Sequence, residues 1–258
     1  MQKRAVVTGA SSGIGREFAI QLAARGYRVT GVARREERLQ ELLNALPGEG
    51  HGYLVADLSE PACVTAVADS LAAEHCNLLV NNAGYSCFES FHESALESQD
   101  DMLSVNCRAV MALAHAFLRQ SRQGDALINV SSIVAFLPTP AQPMYCASKA
   151  FIASLSECLW AEHRKRGVYV MGLCPGITAT EFILTATGGE SDGTTLPASM
   201  IQTSSEVVGE AMRALEKRGK ATIITGRTNR LMMLMPRLLS RHRLLKTLSV
   251  IGDPEKAM

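Results

Sequence analysis

Short apolar segments alternate with amphipathic helical segments along almost the whole of this 258-residue chain. The predicted strands are apolar on both faces, which is typical of a parallel sheet that helices cover on both sides. We therefore predict an α/β fold, a doubly wound (Rossmann-like) parallel sheet of about seven strands, in which ligands bind at the carboxyl ends of the strands.

No internal repeat or linker interrupts this alternation, so residues 1–258 are expected to form a single domain. The predicted strands begin with residues 5–7 and continue with 27–33, 51–56, 78–80, 126–130, 168–173 and 221–225. The predicted helices cover 15–25, 35–46, 61–74, 98–123, 144–166 and 204–218.

Charge and cysteine content exclude several classes of protein. The net charge is +1, so the chain as a whole offers no electrostatic basis for binding nucleic acid. Its seven cysteines are scattered without a CxxC pair, which indicates reduced thiols and no disulfide framework or metal site. The first residues read as a strand and not as a secretion signal, and no apolar run of about 18 residues occurs. We expect a cytoplasmic protein without a bound metal.

A glycine-rich turn follows the first predicted strand and opens the first helix. It reads TGASSGIG from Thr8 to Gly15. Glycine permits a tight turn and lets backbone N–H groups approach a pyrophosphate at the start of a helix. The spacing is GxxxGxG and differs from the GxGxxG dinucleotide fingerprint. Taken alone, the turn is either a cofactor cradle or an ordinary connection.

Together with five later motifs, the glycine turn resembles the short-chain dehydrogenase/reductase family. The later motifs are Asn81-Asn82-Ala83-Gly84, Asn106, Ser131-Ser132, Tyr145 with Lys149 in a YxxxK pattern, and Pro175-Gly176. One YxxxK pair is a weak signal, but all six motifs occur in order at the expected ends of strands and helices, over about residues 3–182. The resemblance implies an oxidoreductase that moves a hydride between a nicotinamide cofactor and an alcohol or carbonyl compound.

The YxxxK pair and two further residues form the predicted catalytic set. Tyr145 and Lys149 are four residues apart, so both project from one face of a helix. A phenol has a pKa near ~10, and a lysine ammonium nearby favours phenolate, so we expect a lowered pKa for Tyr145. Tyr145 then serves as acid in reduction and base in oxidation, with Ser132 hydrogen-bonded to the substrate oxygen. The resemblance implies that Asn106 anchors a water in a proton path and that Lys149 binds the nicotinamide ribose.

Each of these residues also has a purely structural interpretation. Tyr145 and Lys149 could form a satisfied pair in the core. Ser131 or Ser132 could cap a following turn, and Asn106 could bond to the backbone. The family spacing to the tyrosine favours Ser132 over Ser131.

The end of the second predicted strand indicates which cofactor is preferred. An NAD-dependent enzyme normally places Asp or Glu there, to accept a hydrogen bond from the ribose 2′-OH. Here the position is Ala33 and Arg34 follows, and a guanidinium pairs with a 2′-phosphate that an acid would repel. The alternative is that Arg34 and Arg35 are ordinary solvated charges. NADP(H) is the predicted cofactor, with NAD less favoured; Ser12, where many NADP-preferring relatives carry a basic residue, leaves dual use open.

The resemblance also implies a wider set of cofactor-binding residues. They are Gly9, Ser11, Ser12, Gly13, Ile14, Gly15, Asp57, Leu58, Asn82, Ala83, Gly84, Pro175, Gly176, Ile177 and Thr180, besides Arg34, Tyr145 and Lys149. In the family pattern, Asp57 accepts from the adenine amino group and the Ile177 backbone meets the nicotinamide carboxamide.

The substrate end carries a weaker signal. No Lys or Arg occurs from residue 127 to residue 147, so we expect an apolar small-molecule substrate such as an acyl or steroid-like ketone. A glycine-rich stretch between Thr180 and Ser204 is expected to act as a lid. The competing function is an NADPH-binding regulatory or membrane-docking protein without turnover, against which the intact catalytic set argues.

The C-terminal segment at about 227–251 is basic and amphipathic. From Lys217 to Gly252 there are nine Lys or Arg and no Asp or Glu, and Leu and Met alternate with the basic residues. Such a segment either packs on the body or on a second subunit, or makes peripheral contact with an anionic membrane. Because family members are commonly dimers or tetramers, we expect a homodimer or homotetramer that uses helices 98–123 and 144–166.

Overall fold

The computed structural model describes residues 2–140, 142–182 and 201–251. The strands are β1 (Arg4–Thr8), β2 (Arg28–Ala33), β3 (Gly52–Val55), β4 (Leu78–Asn81), β5 (Ala126–Val130), β6 (Tyr169–Cys174), β7 (Thr178–Ala179), β8 (Gln202–Thr203) and β9 (Thr222–Ile224). The helices are α1 (Gly13–Ala23), α2 (Glu36–Ala45), α3 (Pro61–Ala73), α4 (Leu96–Leu103), α5 (Val110–Gln120), α6 (Pro143–His163), α7 (Ser204–Lys217), α8 (Arg227–Met232), α9 (Met235–Leu238) and α10 (Arg241–Ile251).

Seven of the strands form one parallel sheet in the order β3-β2-β1-β4-β5-β6-β9. This confirms the predicted Rossmann-like fold. The chain runs outward from β1 in both directions, so β1 and β4 are neighbours at the point where the strand order reverses. A crevice opens there at the carboxyl ends of the strands, which is where open α/β sheets bind ligands.

Helices cover both faces of the sheet because successive strand residues point to opposite sides. On one face Val7 packs with Phe18 and Leu22 of α1. On the other face Val6 packs with Leu113 and Phe117 of α5. All six side chains are buried, so these parts of the two sheet faces are closed to a ligand.

The predicted helix over 98–123 is broken into parts. It begins earlier, as α4, continues through a π-helical turn at Ser104–Ala109, and ends with α5 at Gln120. The predicted end at residue 123 is wrong, because Ser121 has an extended backbone and its hydroxyl donates to the Leu118 carbonyl. The predicted helix over 144–166 is confirmed as α6, closed by a 3₁₀ turn at Arg164–Arg166.

The C-terminal segment packs one apolar side on the body. Met233, Leu244 and Leu248 are buried in a cluster with Ile133 and Leu137, which lie just after β5. The buried side of this segment therefore packs on the body of the protein, which is one of the two interpretations given above. None of the helices in the described part of the chain is long and apolar enough to cross a membrane.

Candidate active site

The glycine turn lies at the carboxyl end of β1 and is held in a shape that needs glycine. Gly9 and Gly13 have φ values of 67° and 53°. A Cβ on Gly9 would lie 2.7 Å from the Asn82 amide nitrogen, and a Cβ on Gly15 would overlap the Gly9 carbonyl oxygen. The partly buried side chain of Ile14 packs against the core. The turn is therefore in contact with the segment after β4, across the crevice.

Thr8 joins these two segments and was missed by the sequence reasoning. Its buried Oγ1 accepts the N–H groups of Asn82 at 2.9 Å and Ala83 at 3.0 Å. The Asn82 side chain donates in return to the Thr8 carbonyl at 3.0 Å. The threonine immediately before the first glycine was the available signal.

The backbone N–H groups at the start of α1 donate no hydrogen bond to the helix's own N-cap side chain. The N-cap residue Ser12 makes no capping hydrogen bond, and the first turn contains no acidic residue. Ser11, Ser12, Gly13 and Arg16 line a cavity of about 370 Å³ there. Uncapped N–H groups at a helix start bind phosphate, so the chain's own residues fit the pyrophosphate of a dinucleotide.

Two arginines follow β2 at the edge of this crevice, and they have different partners. Arg34 lies 3.6 Å from the Asp57 carboxylate, while Arg35 donates to the Ser11 hydroxyl at 3.2 Å. Arg35 also pairs with Glu181 at 3.2 Å. Arg34 alone was predicted from the sequence to meet the cofactor, but Arg35 is the residue that contacts the glycine turn. Arg34 thus lies beside Asp57, and Arg35 lies beside Ser11 of the glycine turn.

Asp57 lies just after β3 and Leu58 packs into the core beneath it. The Asp57 carboxylate accepts the N–H of Ser59 at 3.0 Å and its hydroxyl at 2.8 Å. Burial alone would raise the pKa of Asp57, but the Ser59 hydrogen bonds and the Arg34 charge outweigh burial and hold the pKa below its usual value. Asp57 is therefore an ionised acceptor at the mouth of the crevice.

Tyr145, Lys149 and Ser132 come together at the carboxyl end of β5. Tyr145 and Lys149 are buried on one face of α6, with the Lys149 Nζ 5.5 Å from the Tyr145 ring centre. The Lys149 Nζ donates to the Val130 carbonyl at 3.0 Å. The Ser132 side chain lies close enough to the Tyr145 hydroxyl to favour its phenolate form and lower its pKa.

The two neighbouring serines face different ways. Ser131 donates to the Lys149 carbonyl at 2.7 Å, which anchors α6 to the end of β5. Ser132 faces Tyr145 and also accepts the Val134 N–H at 3.3 Å, as the cap of a short 3₁₀ turn. Ser132 can therefore cap the turn and still face Tyr145.

Asn106 lies in the π-helical turn and is almost fully buried. Its side chain accepts the Tyr85 N–H at 3.1 Å and donates to the Tyr85 carbonyl at 2.9 Å. Gly84 lies directly against it, because a Cβ there would be 2.8 Å from the Asn106 oxygen and 3.4 Å from the Lys149 Nζ. The geometry therefore groups Gly84, Asn106 and Lys149, and Asn106 also has the backbone partners expected from its structural interpretation.

The prediction that the protein's own residues lower the pKa of Tyr145 is wrong. Burial raises the pKa of Tyr145, and the Ser132 hydrogen bond offsets only part of this. Burial also lowers the pKa of Lys149 to about 8. Both effects have one cause, since a dry site disfavours the phenolate and the ammonium alike. Tyr145 is therefore held as a neutral phenol, the form that can donate a proton.

Burial of Lys149 predicts a pH-dependent cost to stability. The folded-state pKa is below the ordinary value of 10.5, so the unfolded chain binds more protons and stability rises with pH between about 8 and 10.5. We expect Lys149→Met to increase the free energy of unfolding near pH 7. This gain should shrink by about 2 kcal/mol near pH 9.5. Urea denaturation at the two pH values measures it.

The exposed Lys165 provides the matched control. Lys165→Met should change the unfolding free energy equally at both pH values. If Lys149→Met also shows a pH-independent difference, burial does not lower the pKa of Lys149 as described.

The segment after β6 links the catalytic residues to the glycine turn. The Pro175 carbonyl accepts the Ser132 hydroxyl at 3.4 Å, and the Ile177 carbonyl accepts the Gln202 N–H at 3.0 Å. The Thr180 side chain packs against Gly13, and the Phe182 ring centre is 5.6 Å from that of Tyr145.

Asn229, from the C-terminal part of the chain, supports the segment after β6. It was not predicted from the sequence. The buried Asn229 amide lies where a Cβ on Gly176 would be, and it donates to the Thr225 carbonyl at 2.9 Å. Gly176 is therefore required by the close approach of Asn229. The lid predicted between Thr180 and Ser204 lies largely outside the described residues.

Comparison with known proteins gives one consistent result. The family model for short chain dehydrogenase matches residues 3–188. The chain is 31% identical over 232 residues to 3-oxoacyl-[acyl-carrier-protein] reductase FabG of Escherichia coli, covering 88% of this chain and 94% of that protein. It is 35% identical over 196 residues to "Probable oxidoreductase EphD" of Mycobacterium tuberculosis, which covers 73% of this chain but spans only 33% of that protein.

A solved structure is similar over nearly the whole chain. The short-chain dehydrogenase from Sphingobium yanoikuyae in complex with NADPH superposes with a TM-score of 0.80 at 31% identity. The superposition covers 95% of both chains. The residues that the family model matches, 3–188, include the glycine turn and the helix that carries Tyr145 and Lys149.

Proposed function

The chain belongs to the short-chain dehydrogenase/reductase family, and on that premise we propose that it is an NADP(H)-dependent reductase or dehydrogenase of an apolar alcohol–carbonyl pair. Its membership makes it an oxidoreductase that acts on alcohol or carbonyl substrates. The observation that carries the proposal is the meeting of Tyr145, Ser132 and Lys149 at the strand ends, beside a cradle that fits a dinucleotide.

The chemistry divides between the cofactor and the chain. NADPH, when bound, supplies the hydride that adds to the carbonyl carbon. The Ser132 hydroxyl holds the carbonyl oxygen by a hydrogen bond, and Tyr145 transfers its phenolic proton to that oxygen, which yields the alcohol. Lys149 stabilises the phenolate that remains, since an ammonium nearby lowers the free energy of the anion. In the oxidation direction Tyr145 takes the proton back.

Three residues support the preference for NADP(H). Arg34 and Arg35 follow β2, where an acid would mark an NAD enzyme, and Ser11 is hydrogen-bonded to Arg35. The neighbouring structure from Sphingobium yanoikuyae contains NADPH. A 2′-phosphate would replace part of the contact that Arg35 now makes with Glu181, and would bring a stronger, doubly charged partner to both guanidinium groups.

Removing either arginine is expected to weaken NADPH binding selectively. Arg34→Ala and Arg35→Ala should each lower NADPH affinity by about 10- to 100-fold, because each deletes a charge-assisted hydrogen bond to phosphate. NADH affinity should change little. Titration of nicotinamide fluorescence with both cofactors measures this. Arg25→Ala, just beyond the C-terminal end of α1 and far from the glycine turn, is the control. Equal losses for NADH and NADPH would contradict the assignment.

The surroundings of Tyr145 support an apolar substrate. Phe182 contacts its ring, and Ile133 and Leu137 line the turn that follows Ser132. The test is NADPH oxidation with a panel of aliphatic, acyl and steroid-like ketones, with charged keto acids for contrast. Turnover of the apolar members supports the proposal. Binding of NADPH without turnover of any carbonyl compound would instead favour a regulatory protein.

We also propose that the protein is a cytoplasmic homodimer or homotetramer. The large apolar residues Met111 on α5 and Phe151 on α6 are exposed, which supports contact between copies through these helices. The seven cysteines are all free thiols, as expected for a reducing compartment.

A further inference from the structure

The C-terminal helices have a second apolar side that the body of the protein does not cover. Four leucines there are exposed: Leu231, Leu234, Leu238 and Leu245. Leu231 is 68% exposed and Leu238 is 80% exposed, so both side chains are largely in solvent. We define the basic-apolar face as these leucines together with Arg227, Arg241, Arg243 and Lys246.

Helical spacing places three of the leucines in one stripe. Leu231, Leu234 and Leu238 are separated by three and four residues, and backbone hydrogen bonds run from Leu234 to Leu231 and from Leu238 to Leu234. Met233 and Leu244 are buried against the turn after β5. The segment thus has one side that packs on the body and another that has no partner in the described part of the chain.

Basic residues alternate with the exposed leucines along the segment. From Lys217 to Gly252 there are nine Lys or Arg and no Asp or Glu, so the rest of the chain carries a net charge of −8. Arg230 is neutralised by Glu210 at 2.7 Å. Among the described side chains, Arg227, Arg241, Arg243 and Lys246 have no acidic residue within 4.0 Å. The basic-apolar face therefore keeps an uncompensated positive charge.

We propose that the basic-apolar face docks on the surface of an anionic phospholipid membrane. Exposed leucines flanked by cations match a lipid interface, where apolar side chains enter the acyl boundary and cations meet anionic headgroups. Short helices such as α8 and α9, with Pro236 in the first turn of α9, lie along such a surface and do not cross it. A second copy of the chain is a poor occupant, because two such faces would bring like charges together.

Docking would bring the substrate end of the site close to the lipid. The buried side of the same segment contacts Ile133 and Leu137, immediately after Ser132. An apolar substrate dissolved in the membrane would then have a short path to Tyr145. This last link rests on the proposed function, whereas docking itself does not.

Vesicle sedimentation with the full chain tests the proposal without any measurement of activity. We expect the protein to pellet with vesicles of phosphatidylcholine and phosphatidylserine and to remain largely in solution with phosphatidylcholine alone. Binding should weaken as salt rises, because screening reduces the attraction to headgroups. Failure to bind the anionic vesicles at low salt overturns the proposal.

Two sets of variants separate the leucines from the charges. Leu231→Gln with Leu238→Gln should weaken vesicle binding at least about tenfold, since both side chains lose apolar burial. Arg241→Gln, Arg243→Gln and Lys246→Gln together should weaken it about 100-fold. All five positions are exposed, so the thermal unfolding midpoint should stay near that of the wild type.

Controls come from similar residues outside the face. Leu96 is 67% exposed on α4, and Lys165 is exposed beyond α6. Leu96→Gln and Lys165→Gln should bind vesicles like the wild type. The proposal is overturned if the face variants bind as tightly as these controls, or if they change the mass of the protein in solution, which would identify the face as a contact between copies.

Discussion

Tyr145→Phe is expected to lower kcat/KM for carbonyl reduction by about 10²–10⁴-fold, the usual contribution of a positioned general acid. The substitution deletes the only atom of this side chain that can give a proton to the substrate oxygen. It keeps the ring that packs against Phe182, so the fold and NADPH affinity should be largely retained. Steady-state kinetics and cofactor titration on the same preparation measure both effects.

Tyr53→Phe is the matched control for this prediction. Tyr53 also loses a hydroxyl that makes a hydrogen bond, to Glu36, but it lies on β3 away from the catalytic residues. Its kinetics should match those of the wild type. Activity of Tyr145→Phe within about tenfold of the wild type would mean that the proton comes from another group.

Gly15→Ala is expected to abolish most cofactor binding. Its Cβ would overlap the Gly9 carbonyl oxygen and the Asn82 amide, and the Gly9 oxygen belongs to backbone that cannot rotate away. Overpacking of this kind costs about 1–3 kcal/mol, and we expect NADPH affinity to fall at least about tenfold as the turn opens. Calorimetric titration with NADPH and thermal unfolding report the two consequences separately.

Gly52→Ala serves as the control because a Cβ on Gly52 meets no atom within 4 Å. It should leave NADPH affinity unchanged. Gly15→Ala with wild-type affinity for NADPH would show that the glycine turn is an ordinary connection and not the cradle.

Features with a local cause were accessible from the sequence. The strands and helices follow from apolar periodicity, and a parallel sheet of about seven strands follows from the repeated strand–helix alternation. The glycine turn and the Tyr145–Lys149 spacing are also local, since a turn or one face of a helix is set by a few neighbouring residues.

Features that depend on distant contacts were not accessible. Asn106 lies in a π-helical turn that breaks the predicted helix, and its partners are on the segment after β4. The contact of Arg35 with Ser11 joins two strand ends, and Asn229 reaches Gly176 from the other end of the chain. The pKa of Tyr145 was predicted in the wrong direction because its burial depends on the packing of the whole site.

The most direct test of the central claim is transfer of deuterium from NADPH labelled on the reactive nicotinamide carbon to a panel of apolar ketones, followed by mass spectrometry of the alcohol. The proposed mechanism predicts one deuterium on the carbinol carbon with the wild type, and strongly reduced labelled product with Tyr145→Phe. No labelled alcohol from any carbonyl compound, under conditions where NADPH is shown to bind, would contradict the assignment of this site as a hydride-transfer centre.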